Sequence, residues 1–160
     1  MNRLIFHVDV NSAFLSWEAA RRVKEGGEDI RLISSAIGGD RERRTGVILA
    51  KSIPAKQYGV KTGEPVGMAL RKCPELFLAP PDFRLYEQNS RAFIAICEEF
   101  APVVEQVSID ECFLDMSGTE RIYPDPYEIA LTIKNTIRDR LGFTVNVGIS
   151  VNKLLAKMAS

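Results

Sequence analysis

Three carboxylates are the residues best placed to do chemistry: Asp9 near the start of the chain, and the adjacent Asp110 and Glu111 in "EQVSIDECFLDMSG". Asp9 ends the run "RLIFHVDV", which reads as a strand buried on at least one face. Asp110 and Glu111 fall where one short apolar strand stops and another starts. Taken singly, an Asp at a strand end is a turn former or helix cap, and an Asp-Glu pair at a hairpin tip is solvated surface. Together they are different. Three unpaired carboxylates brought close would repel one another and raise their own pKa values. A divalent cation removes that conflict. Oxygen ligands with no His or Cys cluster beside them suit Mg²⁺ or Mn²⁺ over Zn²⁺. Acids bridging two such ions are the device for in-line phosphoryl or nucleotidyl transfer.

The elements around these acids must bring them together. After "RLIFHVDV", Asn11 and Ser12 are good N-caps for "AFLSWEAARRVKE", a helix stopped by Gly26 and Gly27. "DIRLISSAIGGD" and "GVILAKSI" read as strand-like runs, "VGMALRKCP" as a short helix closed by Pro74, and "ELFLAPPDF" as a brief strand before a Pro-Pro break. "DFRLYEQNSRAFIAICEEFAP" is helical, with Phe93, Ile96, Cys97 and Phe100 on one face. "VVEQVSI" and "ECFLDMSG" are strands with a tight connection over residues 108–111. "DPYE" is a capping box with Pro126 at the first helical position, and Ala130, Ile133, Ile137 and Leu141 mark the stripe of the helix it starts. Phe143, Val145, Val147 and Ile149 alternate as a half-buried strand, and Ser150 is placed to cap a last helix. Leaving out roughly residues 11–80, the order is strand, helix, strand, strand, helix, strand. This is the ferredoxin-like split βαβ arrangement, an α+β fold with a small mixed insertion. In it the first strand and the hairpin can be neighbours, so Asp9 can meet Asp110 and Glu111.

Composition sets the limits. The chain has 160 residues, 46% hydrophobic and 26% charged, enough for one folded core or a core with an appendage. Lys plus Arg equals Asp plus Glu at 21 each, so net charge argues neither for nor against nucleic acid. Arg41, Arg43 and Arg44 form a local cluster, read as a solvated loop in preference to a phosphate contact. Cys73, Cys97 and Cys112 are odd in number and lack C-x-x-C spacing. Buried thiols in a reducing cytosol fit them better than disulfides or zinc. No run has signal-peptide or membrane-spanning character, so a cytoplasmic protein with no membrane partner is expected. The final helical pattern reaches Ser160 with no stop signal, which predicts a piece of a longer protein.

"FHVDVNSAFLSWE", "AKQYGVKTGEP", "YEQNSRAF", "VSIDECFLD" and "VGISVNKLLAKMAS", in this order across nearly the whole chain, resemble the Y-family, or translesion, DNA polymerases. The resemblance implies a ferredoxin-like palm of residues 1–10 and 82–160, and an inserted small α/β fingers subdomain of residues 11–81. The thumb and little finger would follow Ser160. It implies template-directed, low-fidelity DNA synthesis in DNA repair and damage tolerance, with primer-template DNA and deoxynucleoside triphosphates as partners and two Mg²⁺ ions, replaceable by Mn²⁺. A sliding clamp would be met through the portion beyond Ser160. By matched position, Asp9 and Asp110 are the aspartates that bind both metals, Glu111 is the acid beside the primer terminus, and Val10 is the backbone-carbonyl ligand. Phe14 matches the aromatic steric gate, although helix position alone would make it a core ring. Lys153 matches a triphosphate-binding lysine, and the amides of Asn11, Ser12, Ala13 and Phe14 open a helix N-terminus suited to phosphate.

The fingers depart from the family pattern. Ile53 and Lys56 stand where many members carry Tyr and Arg, and Ala50 where a threonine often helps. Ile53 cannot donate to phosphate, and Lys56 keeps the charge without the bidentate fork. Triphosphate contacts are therefore expected to shift to Lys56 with Lys51 or Ser52. Two other functions share parts of this pattern. A non-catalytic polymerase-like accessory or nucleic-acid-binding protein would be expected to lose the acids, all three of which are present. A nucleotide cyclase should lack the gate helix and the lysine of "ISVNK". Without the rest of the protein, the 160 residues alone are expected to be nearly inactive.

Overall fold

The strand that carries Asp9 is β1, Ile5–Val10, in the computed structural model, which describes residues 2–160. β1 is one of the two inner strands of a four-stranded sheet. Its neighbours are β6, Glu111–Asp115, and β7, Val145–Ser150, both antiparallel, and β5, Val103–Ser108, lies outside β6 to give the order β5-β6-β1-β7. That is the strand order of the βαββαβ fold. Period-two alternation explains which face is covered. Phe6, Val8 and Val10 of β1 and Cys112 and Leu114 of β6 are buried. The apolar stripes of two helices supply buried residues of the same unit: Phe93, Ile96 and Cys97 from α4, Phe83–Phe100, and Ile129, Ala130, Ile133 and Ile137 from α5, Pro126–Leu141. Asp125 caps α5 as its sequence implies, accepting a hydrogen bond from the Tyr127 amide at 2.9 Å.

The other face of β1 carries His7 and Asp9. Against β1 and β7 lies a short helix, α6, Lys153–Ala159. Its cap is Asn152, whose side chain accepts from the Leu155 amide, and not Ser150, which remains in the strand. Gly148 explains how close α6 comes. A Cβ there would lie 2.0 Å from the Ala156 carbonyl oxygen and 2.5 Å from the Ser160 nitrogen, both backbone atoms that cannot swing aside.

Residues up to Asn11 and Glu87–Ser160 form one unit, and Ser12–Tyr86 forms a second. The second holds α1, Ala13–Lys24, α2, Ile53–Gln57, and α3, Val66–Lys72, with a three-stranded sheet. In that sheet β2, Ser35–Ile37, pairs antiparallel with β3, Ala50–Lys51, and parallel with β4, Phe77–Ala79. One apolar cluster joins Ile48, Val60, Val66, Leu70 and Leu76, and another joins Leu15, Ile30, Ile37 and Ala79. Both strand-like runs expected here are shorter than their apolar patterns. Asp29 accepts from the Arg31 amide and turns Ile30–Leu32 into a 3₁₀ turn. Ile48 donates to the Glu64 carbonyl and so leaves the β2–β3 ladder. All three cysteines are free and buried. No helix among the described residues is long and apolar enough to cross a membrane.

Candidate active site

Register brings two of the acids face to face. Asp9 pairs with Glu111 across the β1–β6 ladder. Directly opposed side chains on one face of an antiparallel pair stand about 5 Å apart at Cβ. Asp110 occupies the turn before β6, and its carbonyl accepts from the Val10 amide at 2.9 Å, tying the turn to the end of β1. The turn is held from several sides. Ser108 Oγ donates to Asp110 Oδ1 at 2.8 Å, buried Ser90 of α4 donates to the Ile109 carbonyl at 2.6 Å, and Gln106 donates to Ser90 Oγ and to the Ser108 carbonyl. A bulge between Gln106 and Ser108 shifts the β5–β6 register, leaving Val107 out of the pairing and setting Ser108 opposite Glu111 just before the turn.

The electrostatics of neighbouring acids diverge. Burial pushes the Asp9 carboxyl above its ordinary value of 3.8, and the charges of Asp110 and then Glu111 push it further, with His7 and Lys157 opposing. Glu111 is held below its ordinary range by hydrogen bonds from Lys157 and then His7, which outweigh its burial. Its Oε1 receives both, each at 3.1 Å. Among the described residues no three His, Cys, Asp or Glu side chains form a group arranged to hold a metal ion. Glu111 Oε1 is drawn toward Lys157 and His7. The chemistry of the donors still fits a hard divalent cation: the charge of Asp110 raises the Asp9 carboxyl, and oxygen is the ligand such ions prefer.

The two lysines of α6 differ in what they meet. Lys153, singled out by its motif, is paired with Glu105 on β5 and lies 5.7 Å from the Phe113 ring centre. Lys157, one helical turn later, is the lysine at the acids. Sequence reasoning missed Lys157 and His7, yet both have a signal. Lys157 follows Lys153 by four residues and so shares its side of the helix, while His7 precedes Asp9 by two and so shares its face of the strand.

The remaining candidates have their own surroundings. Asn11 donates from its amide to the Thr144 carbonyl at 3.0 Å and from its side chain to Thr144 Oγ1 at 2.9 Å, so its amide is already engaged. Ser12 stands at the N-cap of α1 with left-handed φ of 44° and makes no side-chain cap bond, contrary to its sequence role; Ala13 and Phe14 follow in the helix. Phe14 is half-buried and stacks on Tyr86 with centroids 4.4 Å apart, with Phe83 edge-on at 6.1 Å. Ser52, expected at the triphosphate, is the buried cap of α2. Its hydroxyl donates to the Ile33 carbonyl and accepts from the Ser35 and Ala55 amides, which uses its one donor and both lone pairs. Lys51 donates to Thr62 Oγ1, whereas Lys56 is exposed on α2 and forms no ion pair among the described residues. Arg41 is likewise no free loop residue: its guanidinium donates to the Leu76 and Pro74 carbonyls.

Comparison with known proteins gives this arrangement its context. The impB/mucB/samB family model matches residues 8–160. DNA polymerase IV of Clostridium acetobutylicum is 52% identical over 100% of this chain, which corresponds to 40% of that protein. DNA polymerase IV of Alkaliphilus oremlandii is 41% identical and is covered to 39%. The chain thus spans about two fifths of the length of these relatives. Among solved structures, a Y-family polymerase chimera, Dbh-Dpo4(243-245)-Dbh, superposes with a TM-score of 0.83 at 26% identity, over 97% of this chain and 44% of that one. An insertion ternary complex of Dbh DNA polymerase gives 0.79 over the same shares. With its four-stranded sheet, its paired acids and a family match running from Val8 to Ser160, the chain belongs to the impB/mucB/samB family of Y-family DNA polymerases.

Proposed function

We propose that this chain carries the catalytic acids of a low-fidelity translesion DNA polymerase, acting in DNA repair in the cytoplasm. Asp9, Asp110 and Glu111 are its catalytic residues. The observation that supports this most is the seating of Asp110 at the end of β1, where its charge acts on Asp9, in a chain whose relatives are named DNA polymerase IV. The unit with β1, β5, β6 and β7 is read as the palm and Ser12–Tyr86 as the fingers. Asp9, Asp110, the Val10 carbonyl and Glu111 are the residues that would hold Mg²⁺ or Mn²⁺. Bound there, such ions lower the pKa of a primer 3′-hydroxyl and offset triphosphate charge.

The reaction is attack of the 3′-hydroxyl on the α-phosphate of a deoxynucleoside triphosphate, with pyrophosphate leaving. The chain's own residues bind and orient. Lys157, at Glu111, and exposed Lys56 and Lys153 are the cations for phosphate oxygens, with the amides of Ser12, Ala13 and Phe14 at the start of α1. The Phe14 ring excludes a 2′-hydroxyl from the sugar site; its stacking on Tyr86 gives it the rigidity a gate requires. Primer-template DNA is the partner, as the Dbh complexes suggest by analogy. Primer extension by the intact protein tests the proposal. Asp110→Ala should lower extension by about a thousandfold or more, and undiminished synthesis would rule the acids out in favour of a non-catalytic accessory role.

A further inference from the structure

A buried histidine in a strand is ordinarily a satisfied core residue. His7 is different in what satisfies it. It is 2% exposed, yet it lies on the face of β1 that carries Asp9, opposite to Phe6, Val8 and Val10. Its register partner is Phe113, two residues from Glu111 on the same face of β6, so His7 and Glu111 are diagonal neighbours. Both ring nitrogens have partners: Nε2 meets Glu111 Oε1 at 3.1 Å and Nδ1 meets Ser160 Oγ at 2.7 Å. Phe113 packs on the ring with centroids 5.0 Å apart. The ring therefore has little freedom to rotate.

Ser160 reaches His7 because α6 is seated flush on β7, and it is seated flush because residue 148 has no side chain. The same seating brings Lys157 Nζ to Glu111 Oε1. One oxygen of Glu111 thus takes two donors, while Oε2 receives no hydrogen bond among the described residues.

Building on the polymerase reading above, we infer that His7 is a positioning residue: fixed by Ser160 and Phe113, its Nε2–H holds Glu111 Oε1 so that Glu111 meets a cation through Oε2 alone. Hydrogen bonds to a ligating carboxylate orient it and strengthen the site. The donor matters, not the ring.

Mn²⁺ binding to the intact protein, read from the paramagnetic resonance of free Mn²⁺ without DNA or nucleotide, tests this. His7→Phe keeps the ring and removes the donor, and should weaken Mn²⁺ binding about tenfold. His7→Gln, whose amide nitrogen can stand near the Nε2 position, should recover most of that loss. If His7→Phe does not fold, Ser160→Ala serves in its place: it loosens the ring and should weaken binding about threefold. Wild-type affinity in His7→Phe, or in Ser160→Ala where that variant is used, overturns the inference. Equal weakening in His7→Phe and His7→Gln also overturns it, since the loss would then not follow the donor. Asp110→Asn in the same assay separates the two levels. If Asp110→Asn loses Mn²⁺ and His7→Phe does not, only the role of His7 falls; if Asp110→Asn binds as the wild type does, the acid site itself falls.

Discussion

At the residue scale, Asp9 and Glu111 show how one ladder position can strain one carboxylate and relieve another. Asp9 is raised by burial and by Asp110, whereas Glu111 is lowered by Lys157 and His7. The consequence for stability has a definite sign. A carboxyl raised in the folded state keeps its proton above 3.8, where the unfolded chain releases it. Folded stability therefore falls as pH rises through that window, and ionised Asp9 is a full penalty at neutral pH. Asp9→Asn should raise the melting temperature at neutral pH, since it removes the ionised carboxylate that burial and Asp110 disfavour, while removing synthesis. The gain should vanish below pH 3.8, where the acid is protonated in both states; melts across pH in low salt would show it. Phe14 makes a prediction of a different kind. Phe14→Ala should raise ribonucleotide incorporation about 10- to 100-fold relative to deoxynucleotide, measured by competitive single-nucleotide extension, and an unchanged ratio would leave Phe14 as only a member of the Tyr86 cluster.

At the element scale, the contact between β7 and α6 is the most sensitive junction. No rotamer can relieve a Cβ at Gly148, because what it meets is backbone. Gly148→Ala should cost about 1–3 kcal/mol, the range for overpacking, and should detach Lys157 and Ser160 from the acids. Its signature is spatial. Trp17, the only tryptophan in the sequence, lies in the Ser12–Tyr86 unit. Far-ultraviolet circular dichroism should report the lowered transition of the four-stranded unit, with Trp17 emission less affected. A wild-type transition by both probes would contradict the close approach of α6.

At the scale of the whole molecule, charge balance is decisive. These 160 residues carry a formal net charge of zero. Most non-specific affinity for duplex comes from phosphate neutralisation. The chain by itself should bind primer-template no tighter than about 10⁻⁵ M at physiological salt, within the non-specific range, and should extend primers far more slowly than its relatives, of which it spans about 40%. Fluorescence anisotropy with a labelled duplex measures the first and gel-based extension the second.

Much of the sheet was legible in the sequence because its signals are local. Cys112 sits in a strand with period-two burial, Val8 in an apolar run, and Asp125-Pro126 starts α5 through a side-chain bond two residues away. The resemblance carried by "VDVNSAF" and "SIDECFLD" then pointed to the acids. The partners of Ser52 were not legible, because a hydroxyl's partners lie in other strands and loops and no local pattern reveals that Ile33, Ser35 and Ala55 engage it. Likewise the motif drew attention to Lys153, while the choice between Lys153 and Lys157 depends on where α6 lands on β7. The sequence by itself determined the strand and helix order and the three acids, because periodicity, caps and short motifs are written in neighbouring residues. Only the tertiary structure decided that Lys157 and His7 share Glu111 Oε1, because those contacts join residues 46 and 104 positions apart through strand register and the missing side chain of Gly148.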